Sequence, residues 1–171
     1  MEVVRTYLEL PAPDALRPGA PLPENARIVR HGVGQLEEYR RLYRGVGAQW
    51  QWRDRLAWSD DTLRQHLALP SIAVFELLVD NQSAGFFELR RGVTDVEIAY
   101  FGLLPSFIGR GLGGGLLTAA VNEAWRFGGH RVWLHTCTLD SPHALPNYKA
   151  RGFVPFRTER YTTDQPTPAT A

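Results

Sequence analysis

The sequence is poor in cysteine, in lysine and in long apolar runs. Cys137 is the only cysteine of 171 residues, which excludes an internal disulfide and argues against a cysteine-based metal cluster. Lys149 is the only lysine among 19 basic residues, which we interpret as a codon-composition bias. No segment approaches the roughly 20 apolar residues of a membrane span. The start, MEVVRTYLEL, lacks the apolar run of a signal peptide, so we expect a cytoplasmic protein.

An excess of charge of either sign is also missing. The formal net charge is +1, so no strong field would attract nucleic acid or an acidic membrane. Hydrophobic residues make up 44% and charged residues 22%, which are ordinary values for a globular domain. We therefore expect one domain, over 1–162, followed by a disordered polar tail, 163–171.

Hydrophobic patterning predicts an α/β fold with a mixed sheet. The predicted strands are 3–10, 26–30, 72–79, 84–91, 96–104, 131–138 and a last one near 153–161; the predicted helices are 35–46, 61–69, 116–127 and a short one near 146–150. The short turns between 72 and 104 predict an antiparallel meander of three strands. Strand 96–104, helix 116–127 and strand 131–138 together predict a right-handed βαβ unit with parallel strands.

The stretch FIGRGLGGGLL (107–117) has five glycines between the third meander strand and a helix. Bare backbone N–H groups at a helix N-terminus favour an anion such as phosphate. A P-loop is excluded because no lysine follows Gly115. Gly109, Gly111 and Gly114 match a dinucleotide fingerprint literally, with Asp140 as its acidic residue. However, only 31 residues follow Asp140, too few for the remaining parallel strands.

A third interpretation rests on two motifs in order. Residues 108–113, IGRGLG, follow a strand that ends in Leu-Leu-Pro, and residues 147–153 read NYKARGF. The stretch 96–153 thereby resembles the GNAT superfamily of acyl-CoA-dependent N-acetyltransferases, whose signature is Arg/Gln-x-x-Gly-x-Gly/Ala. The resemblance implies a mixed, mostly antiparallel sheet of six to seven strands. One central parallel pair would be split for pantetheine, with helices on both faces and acetyl-CoA as cofactor.

The sequence departs from the family pattern at three positions. Ile108 stands in place of the arginine or glutamine, so Arg110 and the main-chain N–H groups would supply the pyrophosphate contacts. Ser141 stands where many members have asparagine, and Pro146 lies inside the expected helix. Pro146 removes a backbone hydrogen bond, so we expect this helix to begin late, with Asn147 or Ser141 in the polar role.

The resemblance also implies where the cofactor lies. Gly102 is expected to form the bulge that opens the split, because a glycine within a strand often marks a bulge or a close approach. Main-chain groups of the strand end would pair with the pantetheine arm, and one N–H would stabilise an oxyanion. The cofactor-binding set is Leu103, Leu104, Ile108, Gly109, Arg110, Gly111, Leu112, Gly113, Gly114, Ser141 and Asn147.

Two residues are the catalytic candidates. Tyr148 matches the family tyrosine that protonates the departing thiolate. Glu97, eleven residues before Ile108, resembles the catalytic glutamate of the histone-acetyltransferase branch; an ion pair with an arginine is the alternative. Glu88 is a weaker candidate base that could equally face solvent. His135 and Cys137 alternate on one strand face, where we expect a buried packing pair, although His135 could relay a proton.

The acceptor side is predicted around WQWRDRLAW (50–58). Trp50, Trp52 and Trp58 could line a pocket for an amine, or could form a hydrophobic cluster that pins the helices. Arg53 and Arg55 would suit an acceptor with a carboxylate or phosphate, which Asp54 between them weakens.

The sequence therefore predicts an N-acetyltransferase that moves an acetyl group from acetyl-CoA directly to a primary amine through a tetrahedral intermediate. The acceptor would be a small-molecule or peptide amine. No nucleic acid, membrane or metal is expected, and a homodimer stays open. The alternative function is an acyl-CoA-binding module of the same fold without transfer activity.

Overall fold

A mixed sheet forms the centre of the computed structural model, which describes residues 1–163. Its strands are β1 (Glu2–Leu10), β2 (Ala26–Arg30), β3 (Ile72–Val79), β4 (Gln82–Arg91), β5 (Val96–Leu103), β6 (Val132–Cys137) and β7 (Val154–Thr162). The helices are α1 (Leu36–Gly47), α2 (Asp60–Leu67), α3 (Gly113–Arg126) and α4 (Ala144–Ala150). The tail predicted over 163–171 lies outside the described residues, apart from Thr163.

The sheet has seven strands in the order β2-β3-β4-β5-β6-β1-β7. The predicted meander β3-β4-β5 is confirmed, since both of its pairings are antiparallel. Asp80 and Asn81 form its first turn with φ values of 50° and 61°, the left-handed conformation that a two-residue hairpin turn needs. The N-terminal strand β1 lies between β6 and β7 and runs antiparallel to both.

Helices cover both faces of the sheet. The apolar stripe of α1, with Tyr39 and Leu42 at its centre, packs on Phe86 of β4. On the other face, Leu117 and Val121 of α3 belong to the larger core cluster. Each such side chain stabilises the fold by about 1.5–3 kcal/mol when fully buried. The predicted α/β architecture with helices on both faces is confirmed.

Local signals fix the helix ends. The Ser59 side chain accepts a hydrogen bond from the Thr62 N–H at 3.1 Å and so caps α2. Gly128, with φ of 102°, lies just after α3 in the left-handed conformation that ends many helices. Helix α3 begins at Gly113, three residues before the predicted start, because the glycines themselves form its first turn.

The parallel pair β5 and β6 separates after two residue pairs. Val96 pairs with Val132 and Glu97 with Trp133, and no further pairing joins the two strands in the described chain. The register of β5 against β4 shifts between Ile98 and Tyr100, so Ala99 is the extra residue that forms a bulge.

The bulge prediction at Gly102 was therefore wrong. Gly102 pairs regularly with Phe86, and a Cβ on it would lie 2.4 Å from Val46 of α1. Gly102 instead allows α1 to approach the strand closely, which is the other role that a glycine within a strand often has.

Candidate active site

A cleft of about 790 Å³ opens where β5 and β6 diverge. This volume is within the range of roughly 300–1,000 Å³ that is usual for ligand pockets. Its walls come from β5, β6, the loop at residues 50–55, the glycine stretch and α4. This one cleft includes residues from all three parts of the predicted site, namely the cofactor loop, the catalytic candidates and the acceptor loop.

The edge of β5 beyond the bulge presents backbone groups to the cleft. The Leu104 N–H donates to the Ala84 carbonyl at 2.8 Å, which fixes the alternation of hydrogen bonds along the strand. The N–H groups of Phe101 and Leu103 therefore point away from β4 and toward the cleft. Leu103, one of the residues predicted to bind the cofactor, lines the cleft. The expectation for Leu104 was wrong, because its N–H and its carbonyl are both used within the fold.

The glycine stretch forms an open cradle of backbone amides. The N–H groups of residues 109–115 donate to no acceptor within the described part of the chain. Gly109 and Gly111 have φ of 80° and 75°, and a Cβ on either would meet no atom within 4 Å. Because no side chain caps α3, the positive end of its dipole also faces the cradle. Such a cradle suits a phosphate or pyrophosphate.

Most of the predicted loop residues line the cleft, and two do not. The lining residues are Ile108, Gly109, Gly111, Leu112 and Gly113. Arg110 lies outside, with its guanidinium 4.8 Å from the centre of the Phe107 ring. Gly114 is used for packing, since a Cβ there would lie 2.4 Å from Arg151 Nη1 and 3.4 Å from Gly19.

Helix α4 closes the cradle from the other side. It begins at Ala144, so Pro146 lies in the first turn, where a missing N–H breaks no intrahelical bond. The prediction that this helix begins late, near Pro146, was therefore wrong. Asn147 Nδ2 donates to the Gly113 carbonyl at 3.2 Å and so joins α4 to the first turn of α3. Ser141 and Asn147, both predicted to bind the cofactor, line the cleft.

Tyr148 is buried between aromatic rings and reaches the cleft with its hydroxyl end. Its ring packs against Phe101 and Phe153, with centroid distances of 6.1 and 6.2 Å. Burial, followed by the nearby Asp140 carboxylate, raises the pKa of the phenol well above its usual value. The hydroxyl forms no hydrogen bond with any residue of the described chain, so it stays protonated and is available to a ligand.

Glu97 lies on β5 at the base of the cleft and is 4% exposed. Its Oε2 accepts a hydrogen bond from Arg90 Nε at 2.9 Å, and Arg90 Nη2 makes a second contact to the same oxygen. Its other oxygen, Oε1, lies 4.0 Å from His135 Nε2 on β6. The arginine partner that was the alternative for Glu97 is thus present, and it leaves one carboxylate oxygen turned to the histidine.

His135 was expected to form a buried packing pair with Cys137, and this expectation was wrong. Its side chain is 38% exposed, and both His135 and Cys137 line the cleft. Partial burial, followed by the positive charge of Arg5, lowers the pKa of the imidazole from its ordinary value of 6.5. His135 is therefore neutral at pH 7 and can accept a proton.

Glu88 does not face solvent but is completely buried under α1 and α2. Tyr39 donates to its Oε1 at 2.8 Å, His66 contacts its Oε2 at 3.1 Å, and Arg55 forms an ion pair with it. These partners lower the pKa of the carboxyl although its burial alone would raise it. The weak prediction of Glu88 as a base was wrong, because every partner around it stabilises the ionised form.

The three tryptophans divide between the two predicted roles. Trp50 and Trp52 line the cleft, and Trp52 also packs on Tyr100 with a centroid distance of 4.9 Å. Trp58 does not line the cleft; it packs against His66 and against the Arg55 guanidinium, whose Cζ lies 4.9 Å from its ring centre. The structure thus places Trp50 and Trp52 at the cleft and Trp58 in an aromatic cluster beside α2.

Several residues of the cleft were missed from the sequence. Arg5 and Tyr161 reach it because β1 lies between β6 and β7, an arrangement that no local pattern indicates. Arg90 could have been found, since it directly opposes Glu97 across β4 and β5. Asp140, weighed only as part of a dinucleotide site, accepts from Thr136 Oγ1 at 2.7 Å and from the Cys137 N–H at 2.9 Å.

The residues present fit a CoA thioester. One part of the cleft offers unpaired N–H groups at the start of α3, and the edge of β5 offers further N–H groups to an extended chain.

Within residues 1–163 no group of three or more histidines, cysteines or carboxylates is arranged to hold a metal ion. In the same residues no helix has the length and apolar character needed to cross a membrane.

Solved structures with similar folds were found at low identity. A functionally unknown conserved protein from Staphylococcus epidermidis has a TM-score of 0.63 at 16% identity, over 94% of this chain and 60% of that one. An aminoglycoside acetyltransferase from an uncultured soil metagenomic sample, in complex with sisomicin, has a TM-score of 0.63 at 18% identity, over 74% and 87%. A tandem GNAT protein from the clavulanic acid biosynthesis pathway has a TM-score of 0.60 at 16% identity, over 95% and 55%.

The chain thus spans little more than half the length of the first and third of these proteins, and at such identities the likeness shows the fold alone. No curated protein shows a significant match. Residues 36–153, more than half of the chain, match the model of the acetyltransferase (GNAT) family. The matched segment runs from α1 to Phe153 and includes the cradle, Glu97 and Tyr148. The chain belongs to the GNAT acetyltransferase family.

Proposed function

We propose that the protein transfers the acetyl group of acetyl-CoA directly to a primary amine of a small molecule or peptide. The observation that carries the proposal is the position of the Tyr148 hydroxyl. It opens without a protein partner into a cleft that also contains the amide cradle and the acceptor loop. The single cysteine suits a reducing compartment, so we place the reaction in the cytoplasm.

The cradle is proposed to hold the pyrophosphate of CoA. The N–H groups of residues 109–113 would donate to its oxygens, which makes up for the missing side-chain donor at Ile108. Asn147 and Ser141 border the same part of the cleft. When bound, acetyl-CoA supplies the acetyl group as a thioester, and the N–H groups of Phe101 and Leu103 would orient the arm along β5.

His135 and Glu97 are proposed to take the proton of the amine. A free alkyl ammonium has a pKa of about 10.4, so the protein has to remove a proton before attack. The neutral His135 imidazole accepts it, and Glu97 Oε1, on the side of His135 Nε2, stabilises the imidazolium that forms. The present separation of 4.0 Å would shorten in the substrate complex, as catalytic hydrogen bonds often do.

Tyr148 is proposed to give its proton to the departing thiolate. Its raised pKa keeps the phenol protonated throughout the neutral and alkaline range in which the amine reacts. The proton balance then closes over one turnover. The ammonium loses one proton to His135 before attack, and the nitrogen of the tetrahedral intermediate loses a second as the C–S bond breaks, while the CoA sulfur gains one from Tyr148. Of the two protons lost by nitrogen, one is balanced by the proton that restores Tyr148 and the other leaves to solvent. The tyrosinate recovers its proton from solvent or through the cleft.

A two-part experiment tests this function against the alternative of an acyl-CoA-binding module. Thermal-shift titrations with acetyl-CoA, CoA and NAD establish the cofactor class, and a thiol-release assay with a panel of amines establishes transfer. Stabilisation by CoA species together with amine-dependent thiol release is the expected result. Stabilisation without thiol release for any amine would favour the binding module, and no stabilisation by either CoA species would contradict both functions.

Replacing Gly113 with leucine should weaken CoA binding. A Cβ at Gly113 makes only ordinary contact, 3.6 Å from Asn147 Nδ2, so the fold tolerates it while the longer side chain fills the cleft. We expect the CoA dissociation constant to rise about tenfold or more, which corresponds to about 1.4 kcal/mol. Calorimetric titration measures it, and Gly34→Leu, where a Cβ meets nothing within 4 Å, is the control. Unchanged affinity in Gly113→Leu would mean that the cradle does not hold CoA.

The pH dependence of the rate should report His135. Because its pKa lies below the ordinary value of 6.5, the active neutral form is already dominant at pH 6.5 and is lost only under more acidic conditions. We expect kcat to rise with pH, with an inflection below 6.5, and the inflection to disappear in His135→Gln along with most of the rate. His130→Gln, on a residue that does not line the cleft, is the control. An inflection that persists in His135→Gln would assign the titration to another group.

A further inference from the structure

One wall of the cleft contains a buried arginine. Arg55 is 7% exposed, yet it lines the cleft. Its Cζ lies 4.6 Å from the centre of the Tyr100 ring and 4.9 Å from that of Trp58. A guanidinium held between aromatic rings has lost most of its side-chain freedom before any ligand binds.

Only one nitrogen of this guanidinium is used by the fold. Nη1 contacts both Glu88 Oε1 and the Tyr39 hydroxyl. Nε and Nη2 make no hydrogen bond with any residue of the described chain, and neither is a fully enclosed atom. The two remaining nitrogens are therefore accessible, and the place where Arg55 meets open space is the cleft.

Glu88 engages Arg55 through one nitrogen only. A carboxylate only accepts hydrogen bonds, and Glu88 accepts from Tyr39 and His66 as well as from Arg55 Nη1. Its oxygens are therefore occupied by three donors, and neither Nε nor Nη2 of Arg55 is among them. Asp54, the other acidic group near this wall, is exposed and accepts from the Tyr100 hydroxyl at 3.2 Å.

We infer that Arg55 binds a carboxylate of the amine acceptor, so that the acceptors are amines that also carry a carboxylate. The Nε–H and Nη2–H groups of a guanidinium point in one direction and meet the two oxygens of a carboxylate in a bidentate pair. Nη1 is held by Glu88, which orients this open edge. The inference rests on the proposed function, since it names the acceptor of that same cleft.

Matched amines test the inference. The thiol-release assay compares a series of ω-amino carboxylates, from glycine to 6-aminohexanoate, with n-alkylamines and α,ω-diamines of the same length. We expect kcat/KM to be at least about tenfold higher for the best amino carboxylate than for its alkylamine or diamine. Equal or better use of the alkylamine or the diamine would overturn the inference and leave the transferase function intact. No thiol release with any amine would instead contradict the proposed function.

Arg55→Lys separates recognition from folding. Lysine keeps the charge beside Glu88 but lacks the open Nε–Nη2 edge. We expect KM for the best amino carboxylate to rise at least about tenfold more than KM for the matched alkylamine, and thermal denaturation of the same variant measures any loss of stability separately. The control is Arg53→Lys on the same loop, where the exposed guanidinium donates to Gln51 Oε1 at 3.0 Å and to no other residue within 1–163. Equal KM changes for both amines in Arg55→Lys would show that Arg55 has only a structural role.

Discussion

Tyr148→Phe is expected to lower kcat for acetyl transfer by about 10²–10⁴-fold while the dissociation constant for acetyl-CoA changes less than about threefold. A positioned general acid contributes a factor of this size to the rate. The phenylalanine keeps the ring packing against Phe101 and Phe153, so the fold and the shape of the cleft stay the same. Because the hydroxyl bonds to no residue of the described chain, its removal leaves no protein group unpaired. Stopped-flow or steady-state thiol release measures kcat, and calorimetry measures the affinity.

Tyr161→Phe is the matched control for Tyr148→Phe. Tyr161 also lines the cleft, but it lies on β7 and its hydroxyl is 3.4 Å from Arg5 Nη2. We expect its removal to change kcat only a few-fold. If Tyr148→Phe retains the full rate, Tyr148 is a packing residue, and the thiolate leaves with a proton from elsewhere. If both variants lose the rate equally, the effect belongs to the cleft as a whole and not to one acid.

The parts of the fold that depend on neighbours in sequence were predictable. Alternating and helical periodicity located the strands and helices, and short turns defined the meander. The cradle was predictable for the same reason, since a strand, a glycine stretch and a helix follow one another directly. Tyr148 was found because its motif is also continuous in sequence.

The parts that depend on sheet order and register were not predictable. The position of β1 between β6 and β7 brings Arg5 into the cleft, and nothing in the first ten residues indicates it. The bulge that was expected at Gly102 lies at Ala99 instead. The backbone N–H groups that face the cleft therefore belong to Phe101 and Leu103, and not to Leu104. His135 was expected to form a buried packing pair with Cys137, but the divergence of β5 and β6 leaves its side chain at the cleft.

The wall of the cleft around Arg55 depends on a buried network that sequence patterns do not reveal. Glu88 and Arg55 lie 33 residues apart along the chain and meet only because the loop before α2 folds over β4. Two further elements contribute, since Tyr39 comes from α1 and His66 from α2. The same contacts that orient Arg55 therefore hold both helices on this face of the sheet, so recognition and stability are coupled there.

Glu88→Leu is expected to destabilise the protein by about 3–5 kcal/mol, because breaking a buried ion pair leaves Arg55 charged and unpaired. Chemical denaturation measures the change, and Glu123→Leu, which removes the partner of exposed Arg126, should change stability by less than about 1 kcal/mol. The double variant Glu88→Leu/Arg55→Leu should recover much of the loss, since two apolar side chains leave no buried charge. A double variant as unstable as Glu88→Leu would mean that the unpaired arginine is not the cause.

The same pair predicts how stability changes with pH. The folded-state pKa of Glu88 is below its ordinary value of 4.5, so its contribution is fully present above that pH and is lost as the pH falls through the folded-state pKa. The wild type should therefore lose stability more steeply than Glu88→Gln as the pH falls below 4.5. Denaturation midpoints over this range measure the difference. Parallel curves would assign the acid sensitivity to other carboxylates. Glu76 would be the next residue to test, because its pKa is also lowered. Burial alone would raise that pKa, but the hydrogen bonds from His31 and Ser83 lower it.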